Sequence, residues 1–380
     1  MIVLSSKYDC CGCEACAQRC AHNAISMKRD KEGFFYPIID TNICTNCGLC
    51  EKVCPTISQK EQTTPIITYA AKNIDETIRL KSSSGGIFTL LATSIINSGG
   101  VVFGAKFNEQ WDVVHDFVET IVDLEKFRGS KYVQSEICNA YIKVEKFLKQ
   151  DRKVLFSGTP CQIAGLKRFL IKDYQNLICI DIICHGVPSP MVWQKFKTQF
   201  DLSRTSSFSF RDKSNSWKRY EIVATKNQKE IIRETVGQNL YMKIFLSDLC
   251  LRPSCANCPA KSGKSQSDIT IADYWGIENI HPEFDDDKGC NLVLINSEKG
   301  LNFFNKLECD KIESNFNTAI KYNPSYFKSV SEPKYRQYFF DNFDKFGLQV
   351  YNKIPNKNYK QNYCKIRRIF SFLKHKLKII

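Results

Sequence analysis

Two cysteine runs carry the densest chemistry in this chain: Cys10-x₂-Cys13-x₂-Cys16-x₃-Cys20 and Cys44-x₂-Cys47-x₂-Cys50-x₃-Cys54. Two-residue gaps let a tight loop aim three thiolates at one cubane core, while the fourth comes from the other repeat. That rule assigns Cys10, Cys13, Cys16 and Cys54 to one [4Fe–4S] cluster, and Cys44, Cys47, Cys50 and Cys20 to a second. Structural zinc takes ligands in separated pairs rather than triplets, so the doubled triplet points to iron–sulfur. Pro55 follows Cys54 whereas Ala21 follows Cys20, but that proline shapes the chain path and supplies no ligand.

A second set of cysteines is dispersed: Cys161 in SGTPCQ, Cys184 in CHG, and Cys255 and Cys258 in RPSCANCPA. Cys161 and Cys184 each fall just past the end of an expected parallel strand, the edge where open α/β sheets bind ligands. A loop carrying the CxxC pair could complete a four-thiolate site there. Spacing alone leaves zinc, a redox-active CxxC and plain buried cysteines open as well. His185, beside Cys184, reads as a proton donor, a cluster-tuning partner or a satisfied buried histidine. Ser83, Ser84, Gly85 and Gly86 precede a helix and could offer N–H and hydroxyl groups to a diphosphate, although an ordinary serine N-cap explains them more simply. Ser130, Lys131 and Tyr132 offer a hydroxyl, a cation and a stacking ring, or an ordinary surface turn.

The elements that must position these residues follow from patterning. Asp30 to Gly33 is turn-like and Phe34 to Ile39 strand-like, between the two cysteine runs. A polar linker from Ser58 to Pro65 closes the module. Strands are expected at Ile67 to Ala71, Val101 to Phe107, Val154 to Gly158 and Ile178 to Cys184. Helices are expected from Gly86 to about Asn97, from Ala140 to Lys149, and after Thr159, where a proline sits in the first turn. Alternating strands and helices argue for an α/β body, and the alternation from Ser206 to Val236 argues for antiparallel strands. Asp273, Tyr274 and Trp275 follow a strand-like DITIA and either border a ligand or anchor the fold.

The chain has 380 residues, 43% apolar and 25% charged, which allows a small module plus a larger body with its own core. Nineteen cysteines with no secretory leader pattern fit a reducing, cytoplasmic setting, where thiols serve metals and redox chemistry. The formal charge is +14, and twelve cluster thiolates with three cores of about +2 each would bring it near +8. That balance suits acidic electron carriers, anionic cofactors or an anionic membrane surface. Nucleic-acid binding is not expected, because no nucleic-acid motif accompanies the charge.

The segments SSSGGIF, RGSKYVQS, VLFSGTPCQIAGL, DIICHGVPSP, LRPSCANCPA and SDITIADYWGI resemble, in order, those of coenzyme F-420 hydrogenase/dehydrogenase beta subunits. The resemblance runs from about Ile67 to Gly300 and includes the ferredoxin module in front. It implies a flavin, usually FAD, beside a further [4Fe–4S] cluster whose cysteine motifs match Cys161, Cys184, Cys255 and Cys258. Cys250 or an oxygen ligand could stand in for one of these thiolates. It also implies that Ser83 to Gly86 and Ser130 to Tyr132 contact the flavin.

The expectation is then an α+β ferredoxin-like iron–sulfur module (1–60), an α/β flavin-binding body with a mixed sheet (61–345) and a basic tail (346–380). Its function would be that of an iron–sulfur flavoprotein oxidoreductase, passing electrons between a ferredoxin or other redox protein and a two-electron acceptor such as a deazaflavin coenzyme. An electron-transfer subunit with no substrate of its own is the alternative. In the tail, Ile366, Ile369, Phe370, Leu373 and Leu377 share one helical face among basic residues. That pattern fits a helix at the inner membrane surface or on an acidic partner, and equally a solvated tail.

Overall fold

In a computed structural model, which describes residues 1–355, the cysteine-rich start forms a small module docked on an α/β body. Within the module, β1 (Ile25–Arg29) and β2 (Phe35–Ile39) pair antiparallel, from Ile25 opposite Ile39 to Arg29 opposite Phe35. Asp30 builds the turn: its Oδ1 accepts the N–H groups of Glu32 and Phe34, both at 3.0 Å. Two short helices, Ala15–Arg19 and Leu49–Lys52, follow the cysteine loops.

The body supplies β3 (Ile67–Lys72), β4 (Val101–Phe107), β5 (Val113–Val118), β6 (Val154–Gly158) and β7 (Leu177–Ile182). After these come β8 (Ser207–Asp212), β9 (Glu221–Lys226), β10 (Lys229–Thr235), β11 (Ile269–Asp273), β12 (Asn291–Ile295) and β13 (Asp310–Glu313). Eight of them form one sheet in the order β13-β3-β12-β11-β7-β6-β4-β5. Its centre, β4-β6-β7-β11, is parallel, and the flanking pairs are antiparallel. The mixed α/β sheet is thus the one expected from the strand–helix alternation, and β8 to β10 form a separate antiparallel sheet.

Period-two alternation sends neighbouring residues to opposite cores. Val101, Phe103, Val154 and Phe156 pack under the Ala140–Lys149 and Pro160–Leu170 helices. Val102, Leu155, Ile178 and Ile180 pack under the Ile87–Asn97 helix on the other face. Pro160 stands at the first helical position as expected, and a capping box between Thr159 and Gln162 completes that start.

The module is fixed to the body by buried polar contacts. Arg252 is 1% exposed, and it donates Nε to the Cys10 carbonyl at 2.7 Å and Nη2 to the Phe35 carbonyl at 2.8 Å. Arg336 holds Glu32 through two hydrogen bonds of 3.1 and 2.6 Å. The linker is pinned too, since Thr63 Oγ1 donates to the Gly263 carbonyl at 3.1 Å and Arg168 donates to the Ser58 carbonyl.

At the far end, Leu348, Val350, Tyr351 and Ile354 are buried in the body's core, so packing runs past residue 345 as far as Ile354. The amphipathic stretch expected from Lys365 to Ile380 lies outside the described residues. Among the described residues, no helix is long and apolar enough to cross a membrane.

Candidate functional site: three thiol groups and a cavity

The two cysteine loops fold so that each triplet meets the lone cysteine of the other repeat. A hollow of about 20 Å³ is lined by Cys20, Cys44, Cys47 and Cys50 together. Backbone N–H groups point at its sulfurs: Ala24 N donates to Cys20 Sγ and Ile2 N to Cys50 Sγ, both at 3.3 Å. Cys10, Cys13, Cys16 and Cys54 form the second group. Burial first, and then the neighbouring Cys10 and Cys54 thiolates, raise the Cys16 thiol to about 12. Thiols held this close cannot all ionise without a positive centre among them.

The dispersed cysteines also converge. Cys161 sits in the first turn of the Pro160–Leu170 helix, just after β6, and Cys184 lies two residues beyond β7. The loop from Leu251 crosses this sheet edge: Leu251 bridges to Pro188, and Val187 N lies 3.5 Å from Cys255 Sγ. Burial pushes Cys255 up to about 12 and Cys258 up to about 11, and in each case the nearby Cys161 thiolate pushes the same way. Cys184 is raised by burial and then by Cys255, Cys161 and Cys258. Cys250 is buried in the apolar core around Trp193 and Phe196. Among the described residues, no three ligating side chains close on the single point that one metal ion would occupy.

Cys11, which the motif skips, stands between two of these groups. Its thiol is buried, and its titration is coupled to both Cys13 and Cys161. Gly165 makes that approach possible, because a Cβ there would lie 2.8 Å from Cys13 Cβ and 2.9 Å from its sulfur. Thr159 Oγ1 is 3.2 Å from Cys161 Sγ.

Thr159 also lines a cavity of about 340 Å³ over the C-terminal ends of the parallel strands. Ser83, Ser84, Gly86, Ser130, Lys131 and Tyr132 all face it. The two loops they occupy are tied together, with Ser83 Oγ accepting from Ser130 N at 2.8 Å and from Ser130 Oγ at 3.0 Å. Gly85 is instead pressed onto the sheet, where a Cβ would meet the Ala71 carbonyl at 2.6 Å and Asn291 N at 2.7 Å. Gly86, at φ +82°, then turns the chain into the Ile87–Asn97 helix. Tyr132 packs against Phe210 and Phe245 at 5.5 and 5.1 Å. Burial lowers Lys131 to about 7, and its Nζ donates to the Lys126 and Arg128 carbonyls, each at 3.0 Å.

Three cavity residues carry no sequence signal. Arg211, on β8, is 6% exposed and donates Nη1 to Asp273, while its Nε and Nη2 have no hydrogen-bond partner. His115 donates Nε2–H to the Ser157 carbonyl at 3.0 Å, leaves Nδ1 unpaired, and burial lowers it to about 4. Gln162 donates to Ser135 Oγ at 2.9 Å. An arginine in an alternating antiparallel strand reads as solvent-facing, and only the tertiary fold turns it inward. Asp273 and Trp275 line the same cavity, whereas Tyr274 is buried on the other side against Ser314. His185 bonds Asp248 through Nε2 at 2.6 Å.

A doubled cysteine-triplet module docked on an α/β sheet with thiols at its edge defines an iron–sulfur protein. Residues 9–57 match a 4Fe–4S dicluster domain. Residues 68–141 match the N-terminal model, and residues 151–316 the C-terminal model, of the coenzyme F420 hydrogenase/dehydrogenase beta subunit. The chain belongs to that family.

Over 203 residues it is 26% identical to a subunit of the F(420)H(2) dehydrogenase of Methanosarcina mazei, covering 47% of this chain and 55% of that protein. It is 23% identical over 314 residues to the coenzyme F420-dependent sulfite reductase of Methanocaldococcus jannaschii, covering 79% of this chain and 46% of the relative. The chain therefore spans about half the length of these two curated relatives. A chain of the F420-reducing [NiFe] hydrogenase complex from Methanosarcina barkeri has a similar fold, at a TM-score of 0.50 and 15% identity over 75% of this chain and 94% of that one.

Proposed function

We propose that this protein is an iron–sulfur flavoprotein oxidoreductase that links a one-electron donor, such as a ferredoxin, to a two-electron small-molecule acceptor. One observation carries the reading: buried cysteines of the module, Cys13 and Cys11, are electrostatically coupled to Cys161 of the body, whose sulfur lies 3.2 Å from Thr159 Oγ1 at the border of the cavity. Cys161, Cys184, Cys255 and Cys258 are the ligands of a third cluster, beside the two of the module. The cavity fits a flavin, because the unpaired N–H groups of Arg211 and the cation of Lys131 suit an anionic, partly aromatic ligand. A bound flavin exchanges two electrons as a hydride and gives them up singly, matching clusters that carry one electron each.

The protein's own residues bind, orient and tune. Ser83, Ser84, Gly86 and Ser130 supply donors to phosphate, and Tyr132 supplies a ring face. Arg211, held by Asp273, would offer a fixed positive charge to the negative charge that a bound flavin gains on reduction. Thr159 and the N–H groups at Cys20 and Cys50 stabilise sulfur charge and raise the potentials of the neighbouring centres.

Iron, sulfide, zinc and flavin content per chain, measured on anaerobically purified protein, tests this directly. About twelve irons and one flavin are expected, falling to about eight irons in Cys161→Ser. About eight irons without flavin in the unaltered protein would overturn the flavoenzyme reading. The Methanosarcina mazei relative is itself one subunit of a dehydrogenase, which favours a second reading, in which the chain delivers electrons to a partner enzyme. Flavin reduction with no turnover of any small molecule would favour that second reading.

A further inference from the structure

A second cavity of about 340 Å³ lies away from the first, at the seam between module and body. Six cations line it: Lys52 from the module, Lys60 from the linker, Lys167, Arg168 and Lys172 from one helix and its end, and Lys264 from the CxxC loop. Lys167 and Arg168 share the cavity with Ala164, the i+3, i+4 and i positions of one helical face, and with Ile171, which caps the helix end. None of the six has a carboxylate partner among the described residues.

Two acidic residues are present, but Asp268 is already engaged. It accepts from Cys179 N at 2.8 Å and from Ser297 Oγ at 2.7 Å, with Lys299 at 3.5 Å. Asp173 alone opposes the six cations. Lysines that only keep a surface soluble spread over convex faces and mix with acids. Here separate segments bring like charges to one concavity, which costs free energy unless an anion is recruited.

We propose that this cavity binds a phosphate-rich small molecule, of the di- or triphosphate class, at the seam between the iron–sulfur module and the body. The volume is at the lower end of small-ligand sites, so it suits a compact polyanion rather than a protein surface. Pro55 and Pro259, which directly follow Cys54 and Cys258, form part of the wall. Negative charge brought there disfavours the more negative, reduced state of an adjacent cluster, so occupancy lowers its midpoint potential. That last consequence rests on reading Cys54 and Cys258 as cluster ligands; the binding itself does not.

Isothermal calorimetry of the full-length, anaerobically purified protein with pyrophosphate, and separately with ATP, provides the test. Saturable binding is expected, weakened tenfold or more in Lys167→Gln/Lys264→Gln, with iron and flavin content unchanged in the variant. Tighter binding of ATP assigns the polyphosphate to a nucleotide, and equal binding assigns it to the phosphate chain alone. No binding of either, affinity unaltered by the double substitution, or saturable binding of an acidic redox protein alone would overturn the proposal. A redox titration with and without pyrophosphate then reads the cluster assignment separately, since bound anion with no shift would fail that assignment and leave the site standing.

Discussion

Arg211 and Lys131 stand in the same cavity under opposite constraints. Arg211 is buried with two idle donors, a state that costs free energy until a ligand accepts them. Arg211→Leu should therefore leave a folded protein whose flavin affinity falls by about 1.5–3 kcal/mol, roughly ten- to 150-fold, measured by fluorescence titration of deflavinated protein. Lys131 is protonated below its pKa of about 7 and neutral above it. Binding of an anionic flavin should thus be strongest below pH 7 and weaken by up to about tenfold per pH unit above it. With FAD as the proposed ligand, whose diphosphate would keep its charge over this range, Lys131→Met should flatten the profile; a slope that survives would move the titrating group elsewhere. Neither residue announces its role in the sequence. Lys131 is singled out only by the RGSKYVQS resemblance, and Arg211 not at all.

Among the elements, continuous apolar runs are the most legible. The strands at Val101–Phe107 and Val154–Gly158 fall where patterning places them, because burial on both faces leaves few alternatives, and the Ala140–Lys149 helix does so through its one buried face of Ala140, Tyr141, Val144 and Leu148. The antiparallel flanks are harder. In β5, His115 and Asp116 interrupt the apolar pattern, and β12 is a short run among loops. The start of the Ala140–Lys149 helix is beyond any local rule. Asn139 makes no side-chain cap, and the free N–H groups are met from the module: Gln18 Oε1 accepts from Tyr141 N at 3.1 Å and Ile142 N at 3.4 Å, while Glu14 accepts from Ile137 N just ahead of the helix at 2.9 Å. Gln18→Ala should cost about 0.5–2 kcal/mol, the range for a lost cap, read from chemical denaturation of the whole protein. The Pro160–Leu170 helix faces the module through Gly165. Gly165→Val should introduce about 1–3 kcal/mol of overpacking against Cys13 and disturb the spectrum of the nearest cluster before that of the more distant one.

Across the whole molecule, the seam between module and body is built from buried charge as well as thiols. Glu32 and Arg336 leave only 5% and 9% of their side chains exposed. Arg336→Met should destabilise by about 3–5 kcal/mol, because it strands the Glu32 carboxylate without a partner, whereas Glu32→Gln/Arg336→Met should recover part of that loss. The cysteine spacing makes the module itself legible and gives no hint of how firmly it is held, since docking depends on single polar residues scattered through the chain.

That firmness bears on how fast charge can travel. A carrier domain on a loose tether must diffuse to its acceptor, so its delivery rate follows linker length and solvent viscosity. Here Arg252, Arg336 and the pinned Thr63 hold the cysteine loops at one separation from the body's thiols. Internal transfer becomes a matter of tunnelling across a fixed gap, indifferent to glycerol or sucrose in the buffer, and only the encounter with an outside donor slows as the medium thickens.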